Sequence, residues 1–180
     1  MLKKLLHRQT GRLERCYGYD ATYIHEIIDI SPGAFLKFGL FQLMSAHRQG
    51  VPKETWYAAR IAAAICEDCG PCTQLVVDMA LHEGMPPRAI GALLRGDIEA
   101  AGKDAEFGFR YGIAVAKNTE NAHQLAADAA ERYGKRALVS LAFAVACSRV
   151  YPTLKRGLGH GATCFKIRVA NELIAMKAAA

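Results

Sequence analysis

The sequence has no uninterrupted apolar run of the roughly 18 to 20 residues that a membrane-spanning helix needs. Its basic start, residues 1–8, is not followed by the long apolar stretch of a secretory signal. It also lacks the alternation of apolar and polar residues that is typical of half-buried strands. These absences predict a cytoplasmic protein without a membrane segment, and they disfavour a fold built on sheets.

The composition is that of a folded globular protein. Of the 180 residues, 52% are hydrophobic and 22% are charged, which excludes a disordered chain. A chain of this length can bury one substantial core or two small ones. Alanine is abundant and β-branched residues rarely cluster, so both features favour helix. We therefore expect a single all-α domain over residues 1–180.

Helical periodicity and proline or glycine breaks divide the chain into predicted helices. These helices cover residues 23–29, 35–47, 53–66, 73–83, 86–94, 105–117, 120–133, 135–149 and 163–177. The glycine-rich segment 152–161 is predicted to separate the last two. A faint internal repeat, residues 63–71 against 144–152, suggests two duplicated helical units, although an alanine-rich chain can produce such a match by coincidence.

The formal net charge is +6 at pH 7, and part of it lies in a basic N-terminal arm, residues 1–15. One interpretation is a surface for nucleic acid or anionic lipid. The other, which we favour, is a solvated first helix or a subunit contact. Elsewhere the basic residues are interleaved with acids, so neither nucleic acid nor a membrane is a predicted partner.

The most informative segment is residues 66–72, which holds three of the six cysteines. Within it, Cys69-Gly70-Pro71-Cys72 places two thiols at a spacing that can close a small disulfide ring. In a reducing compartment such a pair is more often catalytic or metal-binding than a structural crosslink. Thiol chemistry is therefore the leading functional hypothesis.

The two thiols are predicted to lie at the start of a helix. With Asp68 or Cys69 as the N-cap, Pro71 occupies the first turn, where its missing N–H does no harm. The helix dipole favours a thiolate there, whereas the neighbouring carboxylates oppose it. The spacing of Cys69, Cys72, Val76 and Met79 puts them on one helix face, with Leu75 beside them.

A metal site is the competing interpretation. The spacing C-x2-C-x2-C offers the thiolates of Cys66, Cys69 and Cys72, and Cys16, Cys147 or Cys164 could supply a fourth. A ferredoxin-type cluster would need a cysteine at position 76, where the chain has valine. On this view the protein is a non-enzymatic oligomeric helical module whose cysteines bind a metal.

Residues 59–72, continued by 80–86, resemble the core of the carboxymuconolactone decarboxylase / alkylhydroperoxidase D superfamily. The shared pattern is an alanine-rich helix, C-x-x-C, a helix ending in glycine and a further helix, over about residues 53–95. The resemblance implies an alkylhydroperoxidase D-like helical bundle, a homo-oligomer, and peroxide reduction or disulfide exchange without a bound cofactor. It also implies an external thiol reductant, with Cys72 as the nucleophile and Cys69 as the resolving thiol.

Two positions depart from the peroxidase pattern of that family. A histidine is expected one turn after the second cysteine, where this chain has Val76. A glutamate is expected twelve residues before the first cysteine, where this chain has Tyr57. Any proton relay must therefore use other groups, and Glu67 and Tyr57 are the candidates. His47 and His160 are candidates only if folding brings them close.

Overall fold

The computed structural model describes residues 1–161 and 166–176, which form a mainly helical protein. The described residues contain nine α-helices, one short 3₁₀ helix and one two-stranded hairpin. The helices are α1 (Leu2–Tyr17), α2 (Thr22–Ile30), α3 (Pro32–Ser45), α4 (Lys53–Cys66), α5 (Gly70–His82), α6 (Pro87–Arg95), α7 (Lys103–Lys117), α8 (Ala122–Tyr133) and α9 (Lys135–Gly157). The 3₁₀ helix is Ile98–Ala101, and the strands are β1 (Lys166–Val169) and β2 (Glu172–Ala175). The all-α prediction is thus confirmed for the body of the protein.

Helix α4 is the centre of the fold and has the bounds that the sequence predicted. Every residue from 55 to 65 is buried, because α5, α7 and α9 all pack against it. Its many alanines allow that close packing, and Gly108 and Gly112 of α7 bring the two backbones together. A methyl group at either glycine would overlap the α4 backbone near Thr55 or Ala59.

Helix α9 is longer than predicted, and the predicted break over residues 152–161 is wrong for residues 152–157, whereas residues 158–161 lie outside the helix. The helix continues through Pro152 to Gly157. A proline inside a helix removes one backbone hydrogen bond. Here Pro152 is buried, so its packing offsets that loss. The second part of the internal repeat is therefore one continuous helix and does not reproduce the two-helix arrangement of α4 and α5.

The predicted helix over residues 163–177 is also wrong wherever the structure describes it. Strands β1 and β2 pair antiparallel, with Ile167 opposite Ile174. Ile167, Val169 and Ile174 are buried against α5 and α6. Gln74 of α5 holds β1 by accepting from the Arg168 N–H and donating to its carbonyl, at 2.7 and 2.9 Å. A four-residue strand contains too few alternations of apolar and polar residues to be recognised in the sequence.

A second, smaller core joins the first two helices and contains Leu6, Tyr19, Tyr23, Ile24 and Ile28. The basic N-terminal arm belongs to α1, which packs against α2 and α5. The ammonium of Lys3 donates to the carbonyl of Asp29 at 2.8 Å. The arm is therefore part of a packed helix.

Several helices expose large apolar side chains, including Leu2 and Leu5 of α1 and Ile30 of α2. Leu36, Leu40 and Leu43 form one exposed stripe of α3, and Val139 and Val150 are exposed on α9, which packs against α3. Among the described residues, α9 is the one helix long and apolar enough to cross a membrane by length and composition alone. Charged residues interrupt the sequence of α9, so it does not form an uninterrupted apolar run. Less than half of its most apolar stretch is buried in the protein.

Candidate functional site

The start of α5 positions the two cysteines as the sequence predicted. Cys69 is the N-cap, and its sulfur accepts a hydrogen bond from the Cys72 N–H at 3.3 Å. The Cys69 carbonyl accepts from the Thr73 hydroxyl at 3.0 Å. The Cα atoms of Cys69 and Cys72 lie 5.2 Å apart and their sulfurs are at disulfide-bonding distance. The positive end of the helix dipole faces this pair and favours a thiolate when the bond is open.

Cys72 lines a cavity of about 430 Å³, a size typical of small-molecule sites. The cavity lies between the first five helices and α9, and most of its wall is apolar or aromatic. It is lined by five tyrosines, the only tryptophan of the chain and several aliphatic side chains: Tyr17, Tyr19, Tyr23, Tyr57, Tyr151, Trp56, Leu13, Ile24, Leu75, Val76 and Met79. The predicted face of α5 therefore lines the cavity from Cys72 onwards, whereas Cys69 is not among the lining residues.

Arg60 of α4 also lines the cavity, although only 7% of its surface is exposed. Its guanidinium carbon lies 4.5 Å from the centroid of the Trp56 ring, in cation–π geometry. Burial lowers the pKa of Arg60, yet a guanidinium keeps its proton in proteins. The cavity that Cys72 lines thus contains a buried positive charge.

Tyr57 lies in the same cavity as Cys72, and so does Val76, at the position of the expected histidine. Burial raises the pKa of Tyr57, and the nearby Arg60 acts in the opposite direction. The net pKa lies above that of free tyrosine, so the phenol is protonated near neutral pH. It can therefore donate a proton or a hydrogen bond within the cavity.

Glu67 faces away from this cavity and lines a different one, together with Arg149. Its carboxylate accepts from Arg149 Nε at 2.6 Å and from Arg156 Nη2 at 2.5 Å. The Glu67 carbonyl also accepts from Arg156, at 2.6 Å. These contacts tie the turn before Cys69 to α9. Glu67 thus has a positioning role in this structure, and the geometry gives no support for it as a relay.

We expect the contribution of Glu67 to stability to depend on pH. Partial burial by itself would raise the pKa of Glu67, but the hydrogen bonds and charges of Arg156 and Arg149 hold it below its usual value of 4.5. A lowered folded-state pKa means that the stabilisation is present above about pH 4.5 and is lost as the pH falls through the folded-state pKa. Glu67→Gln should therefore lower the melting temperature at pH 7 and have less effect at pH 3.

Thermal melts of both proteins between pH 3 and pH 7 measure this dependence. Ser140→Ala, which removes hydrogen bonds to the Gln49 backbone and involves no ionisable group, is the control and should show no such trend. An equal loss for Glu67→Gln at both pH values would mean that the ion pairs contribute nothing.

The other cysteines that the structure describes, Cys16, Cys66 and Cys147, form no disulfide. Cys147 is buried and Cys16 is exposed on α1. Burial raises the pKa of the half-buried Cys66 thiol, although Lys117 and Arg149 act against this. Within residues 1–161 and 166–176, no three His, Cys, Asp or Glu side chains are placed to hold a metal ion. Cys164, a suggested fourth ligand, lies outside the described residues.

The two histidines that folding might have brought to the site lie elsewhere. His47 packs edge-on against Phe143 with ring centroids 5.7 Å apart. His160 contacts the carboxylate of Glu26 at 2.5 Å. Neither lines the cavity of Cys72.

Sequence reasoning missed most of the cavity wall. Arg60 occupies a helix position between alanines and isoleucines, which was the one available signal that a charge would be buried. Tyr17, Tyr23 and Tyr151 come from distant helices, and no spacing in the chain relates them to Cys72.

No protein-family model, curated protein or solved structure matches the chain.

Proposed function

We propose that the protein is a cofactor-free dithiol oxidoreductase with an alkylhydroperoxidase D-like helical bundle, in which Cys69 and Cys72 alternate between dithiol and disulfide. The observation that carries the proposal is the placement of Cys72, whose sulfur neighbours that of Cys69 while its side chain lines an organic-sized cavity. The sequence resemblance of residues 53–95 supports the same chemistry.

With a peroxide, the Cys72 thiolate attacks the outer oxygen and the O–O bond breaks. The leaving alkoxide takes up a proton and departs as an alcohol, while Cys72 becomes a sulfenic acid. The Cys69 thiol then attacks the sulfenic sulfur, which releases water and forms the Cys69–Cys72 disulfide. An external thiol reductant supplies the two electrons that restore the dithiol.

With an organic disulfide, the same thiolate attacks one sulfur and releases a thiolate. Cys69 then displaces the second half of the substrate from the mixed disulfide on Cys72. Both reactions leave the same oxidised protein, so the pair can serve either acceptor.

Tyr57 is the proposed proton donor in place of the histidine relay. Its phenol lines the same cavity as Cys72 and is held protonated by burial. A phenol is a weaker acid than an imidazolium, so we expect slower peroxide reduction than a histidine relay would give.

We further propose a homo-oligomer located in the cytoplasm. The exposed stripe Leu36, Leu40 and Leu43 on α3 supports self-association, because large apolar side chains in one row favour burial against a partner. Light scattering of the purified protein tests this, and a monomer at micromolar concentration would contradict it.

Stopped-flow fluorescence tests the proposed reaction. Trp56 lines the cavity of Cys72, so its emission reports oxidation of the pair. Reduced wild-type protein should lose two thiols when mixed with tert-butyl hydroperoxide or hydroxyethyl disulfide, and should recover them with dithiothreitol. Cys72→Ser should lower the rate on the order of 1000-fold or more, because it removes the nucleophile.

Cys16→Ser is the matched control, since it removes one exposed thiol that does not line the cavity of Cys72 and should leave the rate unchanged. Equal rates for wild type and Cys72→Ser would reject the assigned nucleophile. Stoichiometric zinc bound through the three cysteines of purified protein would favour the metal-binding module instead.

A further inference from the structure

Arg60 is a buried cation, and no anion of the described residues neutralises it. Within residues 1–161 and 166–176, its side chain makes no ion pair and no hydrogen bond, and its Nε is buried without an acceptor. The ionisable groups that act on it are Tyr57, Tyr151, Cys147 and Tyr17, and all four are neutral near pH 7. Its attractive contacts are cation–π contacts, with the Trp56 ring at 4.5 Å and with the Tyr57 ring at 5.9 Å.

Such an arrangement is unfavourable in an empty protein. A buried charge is ordinarily paired, because its lost hydration must be replaced by an opposite charge or by hydrogen bonds. A cation–π contact replaces only part of that hydration. Glu83 also lines the cavity, but its carboxylate pairs with Arg48 at 3.4 Å and both side chains are partly exposed. The interior of the cavity therefore has a charge that nothing in the described protein balances.

A second buried donor lies beside it. The indole Nε1 of Trp56 has no acceptor among the described residues. Two unsatisfied donors on one helix, both from residues that line the same cavity, are suited to the oxygens of an anion. The rest of the wall, including Leu75, Val76 and Met79, is suited to an apolar body.

We propose that the cavity binds an amphipathic organic carboxylate, with Arg60 as the anchor of the carboxylate group and the aliphatic face of α5 as the seat of the apolar body. This inference rests on the proposed function in one respect: it identifies the oxidant as a peroxide or disulfide carrying a carboxylate. The carboxylate pairs with Arg60, and the apolar body lies along the wall that contains Cys72.

Binding can be measured without any thiol chemistry. The double variant Cys69→Ser/Cys72→Ser cannot react, so it isolates the cavity as a binding site. Octanoate is the probe and octanamide is its neutral, shape-matched counterpart. Titration calorimetry gives the affinity, and Trp56 emission reports occupancy because the ligand displaces or reorients the Arg60 contact. Octanoate should bind about tenfold more tightly than octanamide, or more tightly still.

Arg60→Met in the same background keeps the length of the side chain and removes its charge. We expect octanoate to bind roughly 10- to 100-fold more weakly, with little change for octanamide. Arg60→Lys should retain part of the preference for octanoate. Arg136→Met, which removes an exposed charge on α9, is the control for the change in net charge and should bind as the parent does.

The melting temperature separates a ligand anchor from a structural arginine. Without ligand, Arg60→Met should melt at or above the temperature of its parent, because it removes an unpaired buried charge. If Arg60→Met melts far below its parent, the arginine is structural and the assignment fails. If octanoate and octanamide bind equally, or neither binds, the proposal is also overturned, whatever the variants do.

Failure of the proposed carboxylate site can be distinguished from failure of the proposed dithiol chemistry. Wild-type protein that reduces a carboxylate-bearing hydroperoxide and neutral tert-butyl hydroperoxide with equal kcat/KM, through Cys72, would reject the carboxylate site alone. If wild-type protein reacted with neither oxidant, the dithiol chemistry would be rejected. Selective binding of octanoate would still support the carboxylate site.

Discussion

Cys69→Ser should still allow the first equivalent of peroxide to oxidise Cys72, but it should block the catalytic cycle after that step. Cys72 lines the cavity and keeps its thiol, so one equivalent of peroxide is still consumed. The resulting sulfenic acid cannot close to a disulfide, because its partner sulfur is gone. Turnover with dithiothreitol should fall roughly 100-fold, since each cycle then depends on an external thiol reaching Cys72, a residue that is only 5% exposed.

Mass spectrometry after reaction with dimedone measures this outcome. Cys69→Ser should give a sulfenic-acid adduct at Cys72, whereas wild type should give the intramolecular disulfide and no adduct. Cys72→Ser is the matched comparison and should form no adduct at Cys69, because Cys69 does not line the cavity. If Cys72→Ser formed a sulfenic-acid adduct at Cys69 and consumed peroxide as fast as wild type does, the two assigned roles would be exchanged.

Gly112→Ala should destabilise the fold strongly. Among glycine-to-alanine changes in the helices, we expect only Gly108→Ala to be as damaging. A Cβ at position 112 would lie 2.5 Å from the carbonyl oxygen of Ala59 and 2.9 Å from its Cα, so α4 and α7 must separate. Backbone atoms cannot move aside as a side chain can. We expect a loss of about 3 kcal/mol in the free energy of unfolding, at the upper end of overpacking effects.

For a chain of this length that loss corresponds to a fall of roughly 6 to 12 °C in melting temperature. Gly108→Ala should be at least as damaging, because its Cβ would overlap the Thr55 carbonyl. Gly39→Ala is the control: it lies inside α3 with no heavy atom within 4 Å of the added methyl group. It should be neutral or should stabilise the helix by about 0.5 to 1 kcal/mol. Equal melting temperatures for Gly39→Ala and Gly112→Ala would disprove the tight α4–α7 contact.

The helical body of the protein could be predicted from the sequence because its signals are local. Pro52 and the end of the apolar run at Cys66 delimit α4, and Cys69 with Pro71 marks the start of α5. Capping and proline placement depend on a few neighbouring residues, so no tertiary information is needed to read them. The two errors, at Pro152 and at residues 166–175, occur where packing against other elements outweighs the local preference.

The sequence by itself determined that two thiols would lie close together at the start of a helix. Residues three apart in a helical turn are neighbours, so Cys69 and Cys72 meet whatever surrounds them. Only the tertiary structure decided that Cys72 lines a cavity, that Glu67 is held by two arginines of α9, and that Arg60 is buried in the same cavity with no partner anion among the described residues. Helix periodicity shows which residues share a face, but the opposing face comes from residues far away along the chain. The environment of a side chain, and with it the chemistry that the side chain can perform, is set by those distant residues.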